Sequence, residues 1–194
     1  MKLFMVRHGE SQANVDWHLL KTVRDEDVQL TEKGYLDAVN AGRKLAQVIT
    51  DIEIVEPIFI VSSWTRTRQT YSIIAGVLAL EGSPIISNKV TEHFMNLVDH
   101  APNWEKFEKY KESGFSWLEC KDLCYEGGES LEDVRVRCQK FIDSLRTLNE
   151  DDVVVLVGHG KFINLTISIL LDVDSDSIPH INNGQVVELD LQSS

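Results

Sequence analysis

Apolar positions along the chain fall into short unbroken runs and longer stretches with helical spacing, and the two kinds alternate. The run KLFMV at residues 2–6 is too short for a helix and reads as a strand buried on both faces. After a polar loop, LTEKGYLDAVNAGRKLAQVI carries Leu36, Val39, Ala46 and Ile49 at helical intervals, with Thr31 as the predicted N-cap. PIFIVSS reads as a second buried strand, followed by a helix in which Tyr71, Ile74, Val77 and Leu78 recur. PIISNKV is a third, shorter strand that runs into TEHFMN. From about residue 97 to 129 the pattern weakens: NWEKFEKYKES predicts an exposed helix, and the rest reads as loop with Gly114, Gly127 and Gly128.

Periodicity returns at SLEDVRVRCQKFIDSLRTL. Ser130 and Asp133 form a capping-box pattern, and Leu131, Val134, Cys138, Phe141, Leu145 and Leu148 share one face. DVVVLVGHG is a fully apolar strand, KFINLTISILL an apolar core helix, and GQVVELDL a last strand. Near-continuous Val/Ile strands separated by helices predict an α/β three-layer sandwich, a mainly parallel central sheet with helices on both faces. The expected organisation is one domain over residues 1–194, with 93–129 as an insertion or lid over the active site.

Composition adds exclusions. The formal net charge of −12 argues against a general binder of nucleic acid or anionic membrane, so an anionic ligand needs a local basic pocket. Cys120, Cys124 and Cys138 form no CxxC pair, and with no leader-like start they read as free thiols of a cytoplasmic protein. No apolar run is long enough for a membrane span.

In open α/β sheets, ligands bind at the carboxyl ends of the strands. Three predicted strand ends carry RHGE (7–10), SSWTR (62–66) and GHG (158–160), which would bring Arg7, His8, Arg66 and His159 together. Two guanidiniums in one crevice call for an anion between them, and phosphate offers matching acceptor oxygens. An imidazole beside two arginines stays neutral, so His8 is the expected nucleophile, with the arginines and His159 on the phosphoryl oxygens. The leaving alkoxide needs a proton; Glu92, at the end of the third strand, is the candidate acid, kept protonated by a neighbouring phosphate dianion. Trp64 stands where it would shape the pocket rim, while His18, His93, His100 and His180 read as surface or packing residues. Asp16-Trp17-His18 mimics a metal-ligand pair, but the further ligands of a two-metal site are missing, so neither metal nor cofactor is expected.

These residues resemble the histidine phosphatase superfamily, also called phosphoglycerate-mutase-like. RHGES with Asn14 looks like its signature, LTEKG like its following loop and helix start, RTRQT like its second arginine motif and GHG like its second histidine. The segment YEGGESLEDVRVRCQKFIDSL looks most like the fructose bisphosphatase domain of the bifunctional kinase/phosphatase. The resemblance implies a phosphohistidine on His8, a phosphate pocket of Arg7, Arg66 and His159 joined by Asn14 and Gly160, and acid/base duty for Glu92. It implies a small-molecule phosphate ester as substrate. The lysines of the insertion, Lys106, Lys109, Lys111 and Lys121, include no Arg-Arg pair of the kind that holds a mutase substrate, which favours a phosphatase over a phosphoglycerate mutase.

Overall fold

The computed structural model describes residues 1–51, 57–98, 100–113 and 125–191. Strand β1 (Lys2–Arg7) is followed by the one-turn helix α1 (Gln12–Val15), helix α2 (Glu32–Asp51), strand β2 (Ile58–Ser62), helix α3 (Thr65–Leu78) and strand β3 (Ile85–Ser87). Helices α4 (Ala101–Ser113) and α5 (Leu131–Leu145), strand β4 (Val153–Gly158), helix α6 (Gly160–Leu171) and strand β5 (Val186–Asp190) complete the order. The sheet order is β3-β2-β4-β1-β5; every neighbouring pair is parallel except β1 with β5. This is the α/β three-layer arrangement that the alternating pattern predicts.

The two central strands explain why their sequences are unbroken apolar runs. Successive side chains point to opposite faces, so Leu3 and Met5 of β1 join Val154 and Leu156 of β4 in one core with α5 and α6. Phe4 and Val6 join Val155 and Val157 in the other core, against α2 and α3. Each such side chain, fully removed from water, contributes roughly 1.5–3 kcal/mol. The edge strands are different: Ile85 and Ile86 of β3 are largely exposed, and β5 alternates in and out.

Helix starts follow the predicted chemistry. The Thr31 hydroxyl accepts from Gly34 N at 3.0 Å at the start of α2, and Ser130 and Asp133 form the reciprocal capping box of α5. On α5, Val134, Cys138, Phe141 and Leu145 are buried as their spacing predicts, with Ile142 beside them. Two expectations need correcting. Leu36 is 64% exposed, because α2 turns a stripe of smaller residues inward, with Ala38, Ala41 and Leu45 buried. There a Cβ on Gly42 would lie 3.0 Å from the Val77 side chain, so α2 and α3 meet closely where the helix is narrow. Helix α4 is not an exposed helix: Trp104 and Phe107 pack with Leu20, Val28, Met95 and Leu97 in a third cluster.

Cys138 is buried, its thiol pushed up to about 12 by desolvation, which makes it a packing residue. Cys120, Cys124 and Lys121 lie outside the described residues, as does part of the predicted lid. No helix among the described residues is long and apolar enough to cross a membrane.

The loop after β1 is locked to the start of α2 by two glycines facing each other's backbone. A Cβ on Gly9 would collide with the Gly34 carbonyl, and one on Gly34 with the Glu10 carbonyl. This close approach accounts for both glycines of RHGE and LTEKG. Gly34→Ala is expected to cost about 2–3 kcal/mol, read as a lower urea midpoint at unchanged m-value. A cost below about 0.5 kcal/mol would mean that the loop shifts freely.

Candidate active site

Register places the site. Arg7 pairs with Gly158 across β1 and β4, so the residues that follow, His8 and His159, leave the sheet side by side with ring centroids 5.2 Å apart. Arg66 arrives from the first turn of α3, just beyond the neighbouring strand β2. All three predicted strand ends therefore converge, and His8, Arg66 and His159 are buried.

His8 Nδ1 lies 2.7 Å from the Gly9 carbonyl. A carbonyl only accepts, so Nδ1 carries the proton and Nε2 keeps its lone pair. Arg66 Nε donates to that Nε2 at 3.2 Å. Burial first, and then the charges of Arg66 and Arg7, hold His8 well below the usual histidine range, so it is neutral and nucleophilic in form. His159 is lowered in the same way, by burial and then by Arg66. Its Nε2 is 2.8 Å from the Ser62 hydroxyl, whereas its Nδ1, like Arg7 Nε, is buried without a hydrogen-bond partner among the described residues. Buried polar groups are normally satisfied, so these two atoms fit an acceptor-rich ligand such as a phosphoryl group.

Arg7 is fixed from behind by the Ile181 carbonyl, 2.7 Å from Nη1, and by His180 Nε2 at 3.4 Å. Gly160 opens α6 directly against Arg7: a Cβ there would lie 3.4 Å from Arg7 Nε, an ordinary contact. Asn14 Oδ1 accepts from Ser11 N, Ser11 Oγ and Asn183 Nδ2, at 3.0 to 3.1 Å. Its amide nitrogen is left as the donor available to a ligand.

Glu92 faces the same cavity and is held by a framework. Its Oε1 accepts from His93 N at 3.0 Å and its Oε2 from Lys161 N at 3.2 Å, in the first turn of α6. Arg137 donates to the Glu92 carbonyl at 3.3 Å and grips Glu129 with two bonds of 2.7 and 2.8 Å. His93 is buried behind Glu92, with Nε2 2.6 Å from the Glu129 carbonyl and Nδ1 3.2 Å from Lys161 Nζ. Burial, and then the Lys161 charge, lower it to about 4.

A cavity of about 510 Å³ opens over these groups, lined by Arg7, His8, Asn14, Arg66, Glu92 and Gly160 among others. All six cavity-lining residues singled out from the sequence thus share one space, with His159 packed beside His8. Trp64 is a correction: it is not on the rim. It is buried behind the site, its ring 4.9 Å from that of His159 and 4.6 Å from the Arg66 guanidinium, because it immediately precedes α3 and turns inward. His180 lines the cavity, contrary to expectation. Asp16 and His18 bond each other at 3.1 Å on the surface, with Asp16 capping a short 3-10 turn. Among the described residues no group of three or more His, Cys, Asp or Glu is placed to hold a metal.

The sequence reading missed Asp25, Ser62, Arg137 and Asn183. Asp25 Oδ1 is 2.9 Å from Arg66 Nη1, which also donates to the Asp25 carbonyl. Burial pushes the Asp25 carboxyl up, against the opposing pull of Arg66. Only Ser62 left a signal, as a hydroxyl at a strand end; the others sit in an acidic loop, on a polar helix face and in an Asn-Asn-Gly turn.

Three buried histidines with lowered pKa values tie stability to pH. Unfolded histidine takes up a proton near 6.5 and the folded ones do not, so the unfolded chain binds more protons and stability must fall as pH drops below that point, by up to about 1.4 kcal/mol per pH unit for each histidine. His93→Gln should flatten the slope between pH 6.5 and about 4 by close to one proton. An unchanged slope in urea titrations across that range would show that His93 is not buried neutral.

With this geometry in place, the comparisons with known proteins are specific. The family model of the histidine phosphatase superfamily (branch 1) matches residues 3–194. The 2,3-bisphosphoglycerate-dependent phosphoglycerate mutase of Bradyrhizobium diazoefficiens is 26% identical, over 91% of this chain and 84% of its own. Phosphoserine phosphatase 1 of Hydrogenobacter thermophilus is 29% identical, over 90% of this chain and 78% of its own. The fold is shared with a mycobacterial glucosyl-3-phosphoglycerate phosphatase solved with vanadate, at TM-score 0.71 and 23% identity, covering 96% of this chain and 90% of that one. Relatives of this chain thus include both phosphatases and mutases, and the chain itself belongs to the histidine phosphatase superfamily, branch 1.

Proposed function

We propose that the protein is a metal-independent phosphomonoesterase that hydrolyses a small phosphorylated metabolite through a phosphohistidine on His8. The observation that carries this reading is the fixed tautomer of His8: Nδ1–H bound to the Gly9 carbonyl, and the Nε2 lone pair turned toward Arg66 at 3.2 Å. A phosphoryl group entering the pocket draws the Arg66 guanidinium onto its oxygens and releases that lone pair. Arg7, Arg66, Asn14, the backbone at Gly160 and the Nδ1 of His159 are the donors for the phosphoryl oxygens. Ser62 bears on the last of these, since a hydroxyl donating to His159 Nε2 leaves the ring proton on Nδ1.

His8 Nε2 then attacks phosphorus as the ester P–O bond breaks, and the departing alkoxide takes the proton of Glu92. In the second half, Glu92 as carboxylate accepts a proton from water, whose oxygen attacks phosphorus; the P–N bond breaks, phosphate leaves and His8 returns neutral. The segment 93–129 acts as the lid that sets specificity. Mutase-type transfer, in which a second substrate hydroxyl replaces water, is the alternative favoured by the mutase relatives. The lysine-only basic side chains of α4 support hydrolysis.

His8→Ala should abolish turnover of p-nitrophenyl phosphate, and acid-labile, base-stable phosphate should be trapped on wild-type enzyme but not on the variant. Near-wild-type rates in the variant would remove His8 from the chemistry, and loss of activity with EDTA, restored by a divalent metal, would replace this mechanism with a metal-based one. Glu92→Gln should slow alkyl phosphates about 10²–10³-fold and aryl phosphates far less, since aryl leaving groups scarcely need a proton. Equal slowing of both would move the acid to another group.

A further inference from the structure

The cavity has two unlike halves. Its floor is the phosphate pocket, whereas the wall contributed by α4, the 17–28 loop and Met95 is mainly apolar, presenting Trp17, Leu20, Met95, Phe107 and Tyr110, with Lys111 as its basic residue. These side chains belong to the third hydrophobic cluster, in which Trp17 stacks on Trp104 at 5.7 Å and meets Phe107 edge-on at 5.7 Å. The wall is therefore fixed in place before any substrate arrives.

Asp25, in the same loop, also lines the cavity; its side chain is 17% exposed and its carboxylate lies 2.9 Å from Arg66. Arg7 and Arg66 bring two positive charges to the floor, and Asp25 offsets one of them. A bound phosphate dianion already leaves this group with an excess negative charge, before the alcohol part of the ester contributes anything. The other cations around the cavity do not restore the balance next to the phosphate. Among the described residues, Lys161 directs its ammonium to His93 Nδ1, and Lys111, which also lines the cavity, lies over the Phe107 ring at 5.6 Å. A carboxylate or second phosphate one to three bonds from the ester oxygen would thus meet Asp25 and, among the described residues, no cation that is not already engaged elsewhere.

We propose that this site selects phosphate monoesters whose alcohol part is uncharged and apolar: Asp25 turns away a second anion beside the phosphate, and the Trp17–Phe107–Tyr110 wall receives the apolar body. The proposal rests on the phosphoesterase reading above and names its substrate class. Esters of similar alkyl leaving groups separate the two effects. Glycerol 3-phosphate and 3-phosphoglycerate differ by the carboxylate, and 2-phenylethyl phosphate adds an aromatic body to a neutral alkyl ester.

The order of kcat/KM expected for wild-type enzyme is 2-phenylethyl phosphate, then glycerol 3-phosphate, then 3-phosphoglycerate. Asp25→Asn keeps the shape and an acceptor for Arg66 but removes the charge. It should raise the ratio of 3-phosphoglycerate to glycerol 3-phosphate about tenfold, the size expected of like charges at close range in a partly screened site. Trp17→Ala, and Tyr110→Ala as a milder change on the same wall, should lower the ratio of 2-phenylethyl phosphate to glycerol 3-phosphate about five- to tenfold. Wild-type preference for 3-phosphoglycerate, or an Asp25→Asn variant that slows all three esters equally, would overturn the proposal and leave Asp25 as a support for Arg66 alone. Absence of turnover on every ester, with no phosphate trapped on His8, would instead sink the phosphoesterase reading itself.

Discussion

The in-register parallel pairing of β1 with β4 is the constraint on which the site depends. Because Arg7 lies opposite Gly158, the two histidines that follow must emerge as neighbours, although they are separated by most of the chain. Both strands are buried on both faces, so a slip of one residue would send Leu3, Met5, Val154 and Leu156 to the wrong core. The hydrophobic effect thus sets the distance between the two imidazole rings. The Gly9–Gly34 contact carries this precision outward, pinning the loop that follows His8 to the start of α2.

On this scaffold the site concentrates cations inside a strongly acidic protein. Desolvation and the two guanidiniums act in the same direction on His8 and His159, keeping both neutral, and the Gly9 carbonyl selects the tautomer that leaves Nε2 available. Arg7 Nε and His159 Nδ1 are buried without a hydrogen-bond partner among the described residues, and both lie at the place where the two histidine-bearing loops meet. Glu92 is held rigidly by Arg137, Glu129 and backbone donors, so its carboxyl is positioned before substrate binds.

Beyond Arg7, His8 and Arg66, the cavity is bounded by a wall of side chains. Here that wall is aromatic and is packed as a small core of its own, with Trp17 and Phe107 tied to Trp104. The same loop that carries Trp17 continues to Asp25, so one stretch of chain contributes both the apolar surface and the carboxylate beside Arg66. Relatives of this chain include both mutases and phosphatases.

Much of this was legible in the chain because it follows from local rules. Unbroken apolar runs mark buried parallel strands, Thr31 and Ser130 mark helix starts, and charged or imidazole groups placed directly after apolar strands mark a ligand site, which is how Arg7, His8, Arg66 and His159 can be named before any coordinates. The rest depends on what packs against what. Leu36 has helical spacing yet faces solvent, because the close approach of α3 at Gly42 selects a different stripe. Trp64 is adjacent to the motif yet lies behind it, and Phe107 sits in a polar helix yet lines the cavity. Asp25 and Arg137 occupy polar stretches with no periodic or motif signal, and acquire their roles only when Arg66 and Glu92 are brought to them from far along the chain. Sequence determined the strands and the reacting groups, since backbone preference and side-chain chemistry are local; tertiary structure decided orientation, partners and the shape of the cavity, since those are set by contacts between segments that the chain order does not reveal.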